Sequence, residues 1–280
     1  MLRLAVRVRR RDAELVLAEL LELAPSGVEE VDVDADVVEF AVYGAPGEIP
    51  ELPALRAAVG GSLVEVTSTE IADDWAERWR EFHRPLVLGD RLSVRPPWEP
   101  PPATALEIVI DPGRAFGTGA HATTRLCLEL LLDLPVPSYR IEAGPAVVDL
   151  GCGSGVLGIV AARLGWGRVL ALDNDPLSVE ATTANAAVNG VAELVEARRF
   201  DLRREPVPPA RLALANLLAP LLRDWCGALR DSGAKLPGTV IASGLLVDEA
   251  DGIAAAFAEL GMRERDRRTS GDWAALLAAG

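Results

Sequence analysis

Two glycine-rich stretches carry the residues of this chain most suited to hold a ligand. DPGRAFGTGAHATT spans Asp111 to Thr124 and follows a strand-like IVI (Ile108–Ile110). DLGCGSGVLG spans Asp149 to Gly158 and follows a buried-strand pattern, AVV. A glycine loop between a strand and a helix lets backbone amides face a ligand at the helix N-terminus. In the second stretch Gly151, Gly153 and Gly155 allow a sharp turn and close approach without Cβ interference. Gly153-x-Gly155-x-x-Gly158 satisfies the dinucleotide fingerprint, so hydride transfer with a nicotinamide cofactor has to be weighed.

The same residues also read as D-x-G-x-G-x-G, the form used by methyltransferases that bind S-adenosylmethionine. Asp149 lies two residues before the first glycine. That position suits a ligand with an ammonium group, which S-adenosylmethionine has, and would repel a pyrophosphate. The dehydrogenase reading therefore ranks last. Asp173 ends the next strand pattern, VLALDND, where a carboxylate accepts hydrogen bonds from both ribose hydroxyls. Capping the helix that starts at Pro176 is the alternative for Asp173, and Asp175 is better placed for that task. RLALANLLAPLL (Arg211–Leu222) breaks an apolar run with Asn216. An amide oxygen there can accept hydrogens from a neutral amine and aim its lone pair at a methyl donor. Capping the helix near Ala219 is the competing role for Asn216.

These residues need a scaffold, and the pattern from Ala146 onward supplies one. Strands at AVVDLG, VLALDND, LVEARR, RLALANL and TVIASGL alternate with helices at Ser154–Gly165, Pro176–Val188, Ala219–Leu229 and Asp248–Leu260. MRERDRR and DWAALLA close the chain as two further strands. This alternation predicts an α/β domain with a mostly parallel, Rossmann-like sheet of about seven strands. The first seventy residues read differently. LRLAVRV, VEEVDVD, VVEFAVYG and LVEVTSTEI read as strands, with helices at Ala13–Leu23 and Leu52–Ala58, the second ending at Gly60-Gly61. This is the split order of a ferredoxin-like α+β domain. Trp75, Trp79 and Phe82 fall at i, i+4 and i+7, a packing stripe on a short helix. The Pro-rich run from Pro96 to Pro102 reads as a connector. The expected organisation is thus 1–70 as the small domain, 71–102 as a linker and 103–280 as the larger domain.

Composition narrows the function classes. The net charge is −14, and residues 1–70 hold 14 Asp and Glu against 6 Arg. Such a balance disfavours direct contact with nucleic acid backbone and is compatible with a basic partner. Cys127, Cys152 and Cys226 lack metal-ligand spacing and the histidines are His83 and His121, so no metal site is expected. No apolar run reaches membrane-spanning length and no signal peptide is evident, which predicts a cytoplasmic protein without a membrane partner.

Taken with these motifs, the chain resembles the ribosomal protein L11 methyltransferase family, class I enzymes that use S-adenosylmethionine. The resemblance rests on DPGRAFGTGAHATTRLCLELL, the segment DDWAERWREFHRPLVLGDRLSVRPPW, ANLLAPLL, TVIASGLL and GDWAALLA. It implies that residues 1–70 recognise the basic ribosomal protein and that a mobile linker joins them to the catalytic domain. The implied reaction is methylation, up to trimethylation, of lysine side chains and the N-terminal α-amine of protein L11 by a monomer. By the same resemblance Thr124, Gly151, Gly153, Asp173 and Asn216 contact the cofactor. Phe116 lies beside the target amine, where an aromatic face stabilises methylated ammonium, and Asn216 shares the catalytic role. For His121 two roles stand open, bracing the loop by hydrogen bonds, which is favoured, and acting as a base. The alternatives are a related enzyme acting on another protein, an RNA base or a small amine, and a non-catalytic module that binds S-adenosylmethionine.

Overall fold

The computed structural model describes residues 2–13, 16, 17, 20, 28–32, 36–44, 63–70, 84–112, 121–136 and 144–280. The chain separates into two compact units, whose described parts are residues 2–70 and 84–280. The helix expected at Leu52–Ala58, the Trp75, Trp79 and Phe82 stripe and His83 lie outside the described residues.

The first unit is built on four strands: β1 (Leu2–Arg9), β2 (Glu29–Asp32), β3 (Val37–Gly44) and β4 (Leu63–Glu70). They pair antiparallel in the order β2-β3-β1-β4. This is the order a ferredoxin-like unit adopts when two split halves interleave. Alternation along β1 and β3 sends Leu4, Val6, Val8, Val38, Phe40 and Val42 into one core, joined by Val16 and Leu20. On the strands' other parity Arg7 bridges to Glu39 at 2.7 Å and Glu65 at 2.9 Å.

The second unit begins with a three-stranded sheet of β5 (Leu86–Leu88), β6 (Leu92–Arg95) and β7 (Leu106–Val109). Residues 84–102, within the stretch expected as linker, therefore carry two of that sheet's strands. Leu92, Val94 and Ile108 join the same core as Leu128 and Ile159. The remaining elements are α1 (Ala122–Asp133), β8 (Val147–Leu150), α2 (Val156–Leu164), β9 (Val169–Asp173), α3 (Pro176–Val188), β10 (Val195–Arg199), β11 (Leu212–Asn216), α4 (Ala219–Ser232), β12 (Thr239–Leu246), α5 (Ala250–Glu259), β13 (Arg263–Ser270) and β14 (Trp273–Ala279). Seven strands form one sheet in the order β10-β9-β8-β11-β12-β14-β13. Strands β8 to β12 run parallel, and β14 enters antiparallel between β12 and β13.

The strands alternate between two cores, because successive side chains point to opposite faces. Val147, Val169, Ala171, Leu212 and Leu214 face one core, with α1 and α2 over it. Val148, Leu150, Leu170, Leu172, Ala213 and Ala215 face the other, covered by α4 and α5 through Leu222, Trp225, Ile253 and Phe257. This parity places the polar residues. Asp149 shares the face of Val147, Asp173 that of Ala171, and Asn216 that of Leu214. All three belong to the side covered by α1 and α2.

Candidate active site

Register aligns the residues singled out by sequence. Leu150 pairs with Leu172 and with Ala215, so the next level along the sheet holds Gly151, Asp173 and Asn216 in one row. Adjacent strands lie about 4.8 Å apart, which puts Asp173 and Asn216 about 10 Å from one another with the glycine turn between them. This row is the carboxyl edge of the parallel strands, the place where open α/β sheets bind ligands.

The glycine turn is built by positive φ angles at Gly151 (67°), Gly153 (53°) and Gly155 (81°), a region closed to most side chains. Gly155 is also the N-cap of α2. A Cβ there would sit 2.7 Å from Thr182, and one on Gly151 would overlap Leu217 Cδ2. Gly158, within α2, has ordinary backbone but no room, since a Cβ would meet Asp149 Oδ2 and Val169 Cγ1 at 3.0 Å. The last glycine of the motif therefore serves close packing of helix on strand.

Asp149 departs from the expectation that its charge faces a ligand ammonium. It is 1% exposed, and its Oδ2 accepts the Gly158 amide at 2.9 Å. Strand parity turns it under α2, so it ties the first turn of that helix to the strand and does not line the row. Burial pushes its carboxyl up to about 7; the Gly158 amide opposes that rise, and the charge of Asp173 adds to it.

Asp173 is half-buried at the end of β9. Its Oδ2 accepts from the Gly153 amide at 2.9 Å and its Oδ1 from the Asp175 amide at 3.0 Å. Burial raises its pKa and these amides oppose that rise. Each oxygen keeps a lone pair for another donor. The helix cap falls to Asp175, which accepts from Leu177 N–H at 3.0 Å.

Asn216 does not cap α4, whose N-cap is Leu218 with no side-chain hydrogen bond. Its Nδ2 instead donates to Thr124 Oγ1 at 3.3 Å across 92 residues of sequence. Thr124 is fully buried in the first turn of α1. The turn after Asn216 is set by Leu217, whose amide donates to Ser243 O at 2.9 Å. Gly244, with φ 81°, leaves space for it, because a Cβ there would lie 2.6 Å from Leu217 O.

His121 is the N-cap of α1. Its Nδ1 accepts from the Thr123 amide at 3.4 Å and lies 2.8 Å from Thr123 Oγ1. Its ring meets Trp273 edge-on, with centroids 4.9 Å apart, and burial lowers its pKa. A neutral, capped ring suits bracing better than proton transfer. Cys152 is buried and receives the Thr182 hydroxyl at 3.3 Å; burial holds its thiol well above the usual range, which does not suit a nucleophile. Phe116, Gly117 and Gly119 lie outside the described residues. Thr124, Gly151, Gly153, Asp173 and Asn216 come together at one edge of the second unit.

Sequence reading missed Trp273, Leu217 and a set of polar residues on α3. Thr182 donates to Gly153 O at 3.0 Å, and Asn185 and Asn189 are buried among polar partners. A signal was available in ATTANAAVNG, since Thr182, Asn185 and Asn189 fall at i, i+3 and i+7 of an otherwise alanine-rich helix.

This strand order, with its glycine turn after the central strand β8 and an antiparallel β14 next to the edge, is that of a class I methyltransferase. The family model described as "Ribosomal protein L11 methyltransferase (PrmA)" matches residues 6–279. A ribosomal protein L11 methyltransferase of Pelotomaculum thermopropionicum is 39% identical over 235 residues, covering 82% of this chain and 74% of that protein. One from Pelobacter propionicus is 40% identical over 214 residues, covering 76% and 68%. The crystal structure of ribosomal protein L11 methylase from Lactobacillus delbrueckii subsp. bulgaricus superposes with a TM-score of 0.58 at 31% identity, over 71% of this chain and 98% of that one. The chain belongs to the ribosomal protein L11 methyltransferase family.

A buried carboxyl with a raised pKa makes stability depend on pH. The folded state holds the Asp149 proton more tightly than the unfolded chain, whose Asp titrates near about 4. Its contribution is full below about pH 4 and is lost as pH rises through about 7. Asp149→Asn keeps an acceptor for Gly158 and cannot ionise. The melting temperature of the variant should gain on wild type between pH 4 and pH 7 and level off above, where both states have lost the proton. A constant difference over that range would show that Asp149 does not titrate there.

Proposed function

We propose that the protein is an enzyme that transfers methyl groups from S-adenosylmethionine to amines of ribosomal protein L11. The observation that carries this reading is the row of Gly151, Asp173 and Asn216 at the sheet edge, in a chain of this family.

The residues of the row fit the cofactor's chemistry. Positive-φ glycines keep side chains out of the turn, so backbone can approach a nucleoside closely. The free lone pairs of Asp173 suit two ribose hydroxyls, and Gly151, Gly153 and Thr124 complete the holding set. When bound, S-adenosylmethionine supplies a methyl group already activated on a sulfonium, so little acid–base machinery is needed. The protein's task is positioning. Asn216 has its amide nitrogen engaged with Thr124, which leaves Oδ1 to accept a hydrogen from the incoming amine. Transfer needs the amine's lone pair, so the substrate ammonium would first lose its proton to water. Phe116, assigned by family resemblance, gives the methylated ammonium an aromatic face.

The acceptors in this reading are lysine side chains and the N-terminal α-amine of protein L11, carried to the trimethyl stage. Residues 1–70 recognise this basic protein, and the unit that holds residues 84–280 catalyses. The concentration of carboxylates in residues 1–70 supports that division through charge complementarity. The enzyme acts as a cytoplasmic monomer on L11 before ribosome assembly, without contacting nucleic acid directly.

Mass spectrometry of protein L11 after incubation with enzyme and S-adenosylmethionine should find trimethyl increments on lysines and on the first residue. Methyl groups confined to other side chains, or to RNA in a ribosomal extract, would sink the amine assignment. Asp173→Ala removes a carboxylate that pairs two hydroxyls, which should weaken cofactor binding by on the order of 2–4 kcal/mol in calorimetric titration. An unchanged affinity would place the ribose elsewhere. A chain starting at residue 71 should bind S-adenosylmethionine as wild type does and leave protein L11 unmethylated. Normal methylation by that chain would remove the recognition role from residues 1–70.

A further inference from the structure

Helix α3 has a buried polar face that no step above uses. Thr182, Asn185 and Asn189 are 0%, 3% and 7% exposed. Asn189 closes a pair of bonds on the last residue of β7: its Oδ1 accepts the Val109 amide at 2.8 Å and its Nδ2 donates to the Val109 carbonyl at 2.7 Å. The same Nδ2 donates to Asn185 O at 2.8 Å. Asn185 reaches two separate segments. Its Oδ1 accepts the Asp111 amide at 3.1 Å, and its Nδ2 donates to the Ser154 carbonyl at 2.9 Å. Thr182 adds a bond to the Gly153 carbonyl at 3.0 Å.

One helix face therefore grips both glycine-rich stretches. At one end lies the turn Gly151–Gly155; at the other lies Val109–Asp111, from which the chain enters residues 113–120. Where the chain leaves that stretch, His121 is held by its cap on α1 and by Trp273. Among Thr182, Asn185 and Asn189, Asn185 touches both stretches through its own side chain. Packing alone would be met by an apolar residue of the same size. The bonds instead demand an acceptor toward Asp111 and a donor toward Ser154 at once, which a carboxamide of this length provides.

We propose that Asn185 is a positioning residue for methyl transfer, its side-chain amide setting Asp111, where the first glycine-rich stretch begins, against the turn that holds the nucleoside. It acts through Asp111 and Ser154 and touches neither cofactor nor amine. This rests on the functional reading above, in which Phe116 of the first stretch faces the methylated amine. Misplacement of reacting groups costs rate more than affinity, because the geometry is needed at the moment of transfer. The turn keeps Thr182 and Asp173 as independent holds, so nucleoside binding survives loss of Asn185.

The test compares wild type, Asn185→Leu and Asn185→Asp as full chains between pH 6 and pH 8.5. Methylation of protein L11 and calorimetric affinity for S-adenosylmethionine are both read. Asn185→Leu should lose about tenfold or more in kcat at every pH, with cofactor affinity within about threefold of wild type. Asn185→Asp presents a carboxylate to the Ser154 carbonyl at high pH; once protonated, it restores both the donor and the acceptor. Its kcat relative to wild type should therefore rise severalfold as pH falls, a recovery that a role in packing alone would not produce. If Asn185→Leu does not fold, this pH profile decides by itself. Wild-type kcat in Asn185→Leu, or a flat ratio for Asn185→Asp, overturns the inference while wild-type activity on L11 leaves the functional reading standing. Absence of methylation in all three chains overturns that reading and this inference with it.

Discussion

The site depends on the carboxyl of Asp149, shut under α2 and bonded to the Gly158 amide at 2.9 Å. A carboxyl buried in a sheet is costly unless its hydrogen bonds are met, and this one is met only if the helix starts where it does. The bond ties the first turn of α2 to β8 and confines the intervening residues to the positive-φ path through Gly151, Gly153 and Gly155. Gly158 takes part by having no side chain, since a Cβ would press on both Asp149 and Val169. The turn is thus held from beneath.

Register then converts one fixed turn into a site. Because β9 and β11 flank β8 in parallel and in step, Asp173 and Asn216 arrive at the level of Gly151 on the same face. The helices lock this row from above. Thr124 in α1 reaches Asn216, and α3 holds the turn through Thr182 and Asn185. Strand ends carry Asp173 and Asn216 and a hydrogen-bonded turn carries Gly151, which favours a reaction whose barrier falls mainly through orientation.

Much of this was legible beforehand. Period-two and helical patterns located all seven strands of the large sheet, with ends within a few residues of those observed, because each buried strand is a short apolar run bounded by turn residues. The helix at Pro176–Val188 was found in full, since Asp175 and Pro176 are cap and first-turn signals that act locally. Asp173 and Asn216 stood out as polar residues ending apolar strands. What escaped were partners distant in sequence. Nothing in the local pattern near Thr124 names Asn216, and the spacing of Thr182, Asn185 and Asn189 does not name Val109 as the partner of Asn189.

The sequence by itself determined the elements, their order, the glycine turn and the family, because propensity, periodicity and motif spacing are local properties of the chain. It also located the polar residues at strand ends. Only the tertiary structure decided which way those residues point. Asp149 and Asp173 look alike in sequence, each an aspartate at a strand end, and they share one face of the sheet. Asp149 lies two residues deeper along the sheet, where α2 closes over it and its pKa climbs; Asp173 reaches the open edge with lone pairs to spare. That difference comes from the packing of a helix over one sheet level and not the next, a relation among distant segments that no local stretch of sequence encodes.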